Sequence, residues 1–324
     1  MVFISLSTDP TEDGTERLVP ALETPVDEAF SDCQPILSLL EEEGKFSTLL
    51  RDSLLAIRMA MRLYDSLGFS FNGGKDNTVV LHLIRAACLQ AVQEGLDDPL
   101  TPYQVFRRHF HLFYLHTEKQ MDELCQYLLK TEKRYALNTT VYAGKDFLQC
   151  LLRYHQERKP NAVIMGMRSV DPMGRTTIFS PCTPGWPSFI RVNPILPWSF
   201  VDVWDFIKRF RIQYCRLYDH GYTSLGSAYS TRKHPMLQDG SVMRLHTWSR
   251  AQDPISSRVD GSTSYLSQES DSNASLVIDV LVERGLTLEE LRSNGSDVDV
   301  DDLEGSAPAI YLPITAHERQ SRMK

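Results

Sequence analysis

The chain lacks several features that would each have fixed a class of protein. Its six cysteines, at positions 33, 88, 125, 150, 182 and 215, form no C-x-x-C pair, which excludes a paired-cysteine zinc site and argues against a disulfide framework. A reducing compartment is expected. No apolar run is long enough to span a bilayer. The start, MVFISLSTDPTEDGTE, turns acidic at once, unlike a signal or transit peptide, so a cytoplasmic protein with no membrane partner is expected. Basic residues are in the minority, 34 Lys and Arg against 42 Asp and Glu, for a formal net charge of -8. No nucleic-acid partner is expected from that balance, which leaves room only for a local basic cleft. Two common phosphate-binding strings, G-x-x-x-x-G-K-[ST] and G-x-G-x-x-G, are also missing.

What is present is centred on FSFNGGKDNTVVLHLIRAACLQAV, residues 69–92. Phe69, Ser70 and Phe71 read as the end of a strand, Asn72, Gly73 and Gly74 as a turn, and Val79, Val80, Leu83, Ile84, Ala87 and Cys88 as the apolar face of a helix. A glycine turn between strand and helix lets a phosphate approach the backbone, where unpaired N–H groups and the helix dipole face it. Lys75 adds a cation and Asp76 a carboxylate able to hold a hard metal, so a nucleoside triphosphate with Mg2+ suits the stretch. A glycine pair alone is ordinary turn chemistry; the string S-x-N-G-G-K-D is far more restrictive.

With 324 residues and 42% hydrophobic content, the chain can bury a substantial core. Residues 1–30 read as a loose, polar N-terminal arm. Apolar spacing over 36–67 predicts two helices covering one sheet edge. Beyond the glycine loop, strands are expected at 109–116, 139–142 and 162–168, and helices at 121–135 and 145–157. This alternation predicts an α/β fold, a Rossmann-like, mostly parallel sheet flanked by helices, with ligands at the carboxyl ends of its strands. The core is bounded at 31–235. Residues 236–306, Ser-rich and acidic, read as a flexible insert, and 307–324 as a terminal arginine-bearing tail.

Two further stretches carry chemistry. In GMRSVDPMGR, residues 166–175, Gly166 ends a strand where a flat base can approach, Arg168 can fork onto phosphate oxygens, and Asp171 can reach a metal. Taken alone it also reads as a strand-end turn with a surface ion pair. Over 180–227, prolines bar a regular helix up to Pro197, and Trp186, Phe189 and Trp198 are large rings on an irregular segment. A helix begins after Ser199, its expected cap, with a core stripe at Phe200, Val203, Trp204, Ile207 and Phe210. The loops around that helix, with Arg191, suit a flat heterocycle carrying a phosphate.

The first string resembles the pyrophosphate loop of the adenine-nucleotide α-hydrolase group, whose ATP-using members typically cut between the α- and β-phosphates. SFNGGKD, GMRSVDP, GWPSFIRVNPILPWSFVDVWDF and YCRLYDHGYTSLGS together resemble the eukaryotic FMN adenylyltransferase (FAD synthetase) family of that phosphoadenylyl-sulfate reductase-like group. The resemblance spans about residues 70–227 and resumes at Pro308, Ala309, Leu312, Glu318, Arg319 and Arg322.

It implies AMP transfer from ATP to FMN, giving FAD and pyrophosphate, in a monomer with a C-terminal irregular and helical flavin-binding extension. Asn72, Asp76, Arg168, Asp171, Arg319 and Arg322 take the catalytic roles, with Asp76 and Asp171 on Mg2+. Ser70, Phe71, Gly73, Gly74 and Lys75 line the polyphosphate. Leu115 and Met167 read the adenine edge through their backbones. Thr183, Trp186, Arg191, Val192, Asn193 and Tyr222 are assigned to nucleotide or flavin binding, and the tail arginines meet the FMN phosphate. Three residues depart from the family pattern: Thr183 stands where an acid precedes G-W-P, Ser321 for a glycine, and Ile314 for an acid. Two alternatives remain open, a flavin- or nucleotide-binding regulator on the same fold and another ATP α–β cleaving enzyme. Among the latter, a phosphoadenylyl-sulfate reductase would need a tail cysteine, and none follows Cys215.

Overall fold

The computed structural model describes residue 10 and residues 14–17, 28–96, 99–171, 174 and 176–234. The expected insert at 236–306, the tail at 307–324 and its Arg319 and Arg322 lie outside the described residues, as does most of the expected arm.

In chain order the elements begin with β1 (Gly14–Arg17), a 3-10 turn at Glu28–Cys33, α1 (Gln34–Ser38), a second turn at Leu39–Glu41, and α2 (Lys45–Leu63). There follow β2 (Leu67–Ser70), α3 (Lys75–Gln93), α4 (Pro102–His109), β3 (Phe110–His116), α5 (Asp122–Tyr135), β4 (Thr140–Ala143) and α6 (Phe147–Arg158). Then come β5 (Ala162–Ile164), β6 (Phe179–Pro181), β7 (Ile190–Val192), α7 (Phe200–Arg209) and a 3-10 turn at Arg216–His220.

The seven strands form one sheet in the order β1-β4-β3-β2-β5-β7-β6. The inner strands pair in parallel, and the edge strands β1 and β6 are antiparallel. From β2 the chain winds outward to β3 and β4, then returns to place β5 on β2's other side. The carboxyl ends of β2 and β5 therefore border a topological switch point, where open α/β sheets bind ligands.

Strict alternation assigns the two sheet faces. Phe69, Ile164 and Val192 enter the larger core with the buried residues of α2 and α3, whereas Phe113, Tyr142 and Val163 enter a smaller core with α6. Trp198 lies on an irregular segment, as expected, and is fully buried there, its indole N–H donating to Ser53 Oγ at 3.0 Å. Ser53 donates in turn to the Pro194 carbonyl, so α2 fastens the segment leaving β7.

Several boundaries differ from the sequence expectation. Residues 14–17 of the polar arm form an edge strand on β4 rather than loose chain, since ladder bonds need no apolar side chains. His109 closes α4, a helix started by a Thr101–Gln104 capping box and Pro102, instead of opening β3. The strand expected over 162–168 stops at Ile164, because Met165 N–H turns to Val192 O and Ser169 N–H to Leu196 O. Ser199 caps α7 as expected, in a capping box with Asp202.

Candidate active site

The glycine loop leaves β2 at the switch point and enters α3 with no side-chain N-cap. Gly73 has φ +72°, and a Cβ there would lie 2.7 Å from Leu124 Cδ1, so the turn needs glycine for its conformation and for space. Asn72 Oδ1 accepts from Gly74 N–H at 3.0 Å and from Asn77 Nδ2 at 2.8 Å, while Asn77 Nδ2 also approaches Ser70 O at 3.2 Å. Asn72 therefore shapes the turn with its oxygen and leaves its amide NH2 for a ligand. Tyr218 Oη accepts from Lys75 N–H at 2.9 Å, tying the helix mouth to a turn 143 residues later.

The side chains of Lys75 and Arg168 are 2% and 1% exposed, and Asp76, 23% exposed, lies between them. Lys75 Nζ is 3.0 Å from Asp76 Oδ2, and Arg168 Nε is 2.8 Å from Asp76 Oδ1. Lys75 Nζ also lies over the rings of Phe200 (5.4 Å) and Tyr218 (6.0 Å). The trio carries net positive charge beside a helix N-terminus, an arrangement that favours an anion.

Asp171 caps the turn carrying Arg168: its Oδ2 accepts from Arg168 N–H at 3.0 Å, and its own N–H donates to Arg168 O. Gly166 crosses α3 so closely that a Cβ would collide with Asn77 Oδ1 and lie 3.0 Å from Asn77 N. The sequence signal for Gly166 was a base approaching the strand end; here the close neighbour is α3 itself.

Residues expected around adenine and flavin divide by sheet face. Leu115, Met165, Cys182 and Trp186 form a half-buried wall on the smaller core, and Arg191, paired in register with Val163, stands on the same face. The loop between β6 and β7 begins and ends at the amino edge of the sheet but folds along α6. His155 Nε2 donates to Ser188 O at 3.1 Å, and the Trp186 ring packs 5.2 Å from Phe147, the first residue of α6. Trp186 is thereby carried back toward the carboxyl ends of the strands. Thr183, with a buried hydroxyl, and Trp186 line one cleft of about 530 Å³ with Tyr64, Lys159 and Phe189.

Other expected ligand residues are occupied with the fold. Phe71 is buried against Phe69 and Tyr127, and Val192 faces the larger core with its carbonyl taken by Met165 N–H. Asn193 is fully buried and donates to Thr177 O at 2.9 Å. Arg191 Nε donates to Pro181 O at 3.1 Å. Met167 is half-buried beside Arg168, and Tyr222 is partly buried against the larger core.

The profile of the phosphoadenosine phosphosulfate reductase domain matches residues 66–149 and 146–233, just over half of the chain. The probable FAD synthase of Schizosaccharomyces pombe is 31% identical over 191 residues, which span 58% of this chain and 69% of that protein. The chain belongs to the FAD synthase family, built on that domain. Other members are longer: the probable FAD synthase of Caenorhabditis elegans is 36% identical over 178 residues, and the chain spans about a third of its length. The crystal structure of Candida glabrata FMN adenylyltransferase in complex with ATP is 18% identical and shares the fold, with a TM-score of 0.59 over 95% of this chain and 99% of that one.

Family motifs led to the loop, to Arg168 and to Asp171, but not to two residues that hold the loop together. Asn77 lay inside the quoted helix start with no pattern to distinguish it. Tyr218 lay inside YCRLYDHGYTSLGS, and only the tertiary fold brings it to Lys75.

Proposed function

We propose that the chain is an FMN adenylyltransferase, transferring AMP from ATP to FMN to give FAD and pyrophosphate, the last step of FAD biosynthesis. The supporting observation is the placement of buried Lys75 and Arg168 around Asp76 at the start of α3, beside the β2/β5 switch point. Family membership narrows that anion site to one chemistry.

An FMN phosphate oxygen attacks the α-phosphorus of ATP, and the bond to the bridging oxygen of pyrophosphate breaks. The nucleophile is already ionised, so the protein supplies in-line placement and charge neutralisation, not a base. The Gly73–Gly74 backbone and Lys75 cradle the polyphosphate, Arg168 neutralises it, and the Asn72 amide NH2 donates to an α-phosphate oxygen. Leu115 and Met167 border adenine, and Trp186, carried toward the carboxyl ends by its packing on Phe147, borders the flavin ring. The segment beyond β7 serves as the flavin-binding extension, and Arg319 and Arg322 meet the FMN phosphate.

Asp76 and Asp171 suit Mg2+, a hard cation commonly bound by one or two carboxylates plus substrate phosphates. Among the described residues no group of three or more His, Cys, Asp or Glu is placed to hold a metal. Bound there, Mg2+ would neutralise phosphate charge.

No helix among the described residues is long and apolar enough to cross a membrane, and all six cysteines are free thiols. The reading of the scattered cysteines as thiols in a reducing compartment supports a cytoplasmic location. Chromatography of a reaction containing FMN, ATP and Mg2+ tests the reading: FAD and pyrophosphate in equal amounts support it, and tight flavin binding without turnover would replace it with the regulator.

A further inference from the structure

At the opposite end of the sheet from the glycine loop, a small open cavity of about 30 Å³ is lined by Arg107, His111, Asn138, Thr140, Tyr154 and Arg158, among others. The fold brings the basic groups there from three elements: Arg107 from the last turn of α4, His111 from the start of β3, and Arg158 from the end of α6. Tyr154 stacks on Phe113 with ring centroids 3.8 Å apart, and its hydroxyl is buried with no hydrogen-bond partner. That hydroxyl rests over Gly68, where any Cβ would collide with it.

A buried hydroxyl left unpaired is destabilising, so its place in a basic cavity calls for an acceptor. The two nearby carboxylates are already engaged. Glu157 accepts from Tyr142 Oη at 2.7 Å and lies 4.0 Å from Arg158 Nε; Glu132 accepts from Thr139 Oγ1 at 2.7 Å and Thr139 N–H at 3.2 Å. Burial and the positive fields of Arg158 and Arg107 hold the His111 imidazole below its ordinary pKa. The space exceeds that of one water, roughly 10–15 Å³, and opens to solvent, but cannot admit a nucleotide.

We propose that this cavity is a second anion site, separate from the nucleotide site, that takes one small tetrahedral oxyanion of the phosphate or sulfate class. Arg107 and Arg158 supply the charge, and Tyr154 Oη donates the inner hydrogen bond. Because the anion would join the ends of α4 and α6 across β3, its binding stabilises the folded protein.

Titration calorimetry with inorganic phosphate tests this on the full chain preloaded with ATP in the absence of FMN, which keeps phosphate out of the glycine loop. One phosphate binds the wild type. Arg158→Gln weakens it at least tenfold and Tyr154→Phe severalfold, with ATP affinity unchanged. Should Arg158→Gln fail to fold, Arg158→Lys, which keeps the charge and loses the fork, shows an intermediate affinity. A phosphate isotherm that vanishes when ATP is bound, or that Tyr154→Phe and the Arg158 variants leave unaltered, overturns the proposal.

Discussion

Arg168 Nε lies 2.8 Å from Asp76 Oδ1, joining the segment after β5 to the first turn of α3 across the switch point. Lys75 holds the other oxygen of the same carboxylate at 3.0 Å. Removing Asp76 leaves two buried cations facing each other with one counter-charge gone, a kind of change that typically costs about 3–5 kcal/mol. Asp76→Ala is therefore expected to lower stability by about 3 kcal/mol, measured by urea unfolding, and to reduce FAD formation by at least about 100-fold. Adding ATP should restore part of the lost stability, because its phosphates replace the missing negative charge.

Tyr218→Phe keeps the ring beneath Lys75 and removes the hydroxyl that accepts from Lys75 N–H. A single hydrogen bond of this kind is worth about 1 kcal/mol. The expected result is a several-fold rise in KM for ATP with KM for FMN unchanged. Equal changes in both would contradict a role at the loop.

At Gly166, a methyl group must displace Asn77, and Asn77 braces Asn72 and Ser70. Gly166→Ala is expected to lower kcat/KM for ATP by 10-fold or more, read in steady-state kinetics. Gly95, just past the far end of α3, whose Cβ would meet nothing within 4 Å and whose φ of +70° asparagine tolerates, serves as the comparison: Gly95→Asn should cost little activity.

Glu132 supplies a pH signature. Burial pushes its carboxyl up to about 7 from an ordinary 4.5, outweighing its bonds to Thr139. The folded state thus holds this proton more tightly than the unfolded state, and its contribution to stability is lost as pH rises from about 4.5 to about 7. Glu132→Gln keeps an oxygen for Thr139 and cannot ionise. Relative to the wild type it should gain about 3 kcal/mol between pH 4.5 and pH 8, measured by urea unfolding at both values.

The glycine loop was legible in the sequence because its parts are local: strand end, glycine turn and helix start are consecutive, and Lys75 and Asp76 sit at the mouth. The parallel sheet was legible for the same reason, from apolar runs alternating with helical spacing. β6 and β7 escaped notice because three residues bounded by prolines carry no readable period. β1 did so because GTER has no apolar face. The motifs that hold Phe71, Val192 and Asn193 did not reveal that strand alternation and backbone pairing bury all three side chains. Tyr218 needed the tertiary fold, since no local rule links it to a backbone N–H 143 residues away.

The most direct measurement follows the phosphorus atoms of ATP. With FMN, Mg2+ and ATP labelled at either the α- or the γ-position, the account predicts α-label in FAD and γ-label in pyrophosphate, with both products absent when FMN is omitted. Label accumulating as AMP whether or not FMN is present would contradict it, and would mark the chain as an ATP-cleaving enzyme of the same fold with a different acceptor.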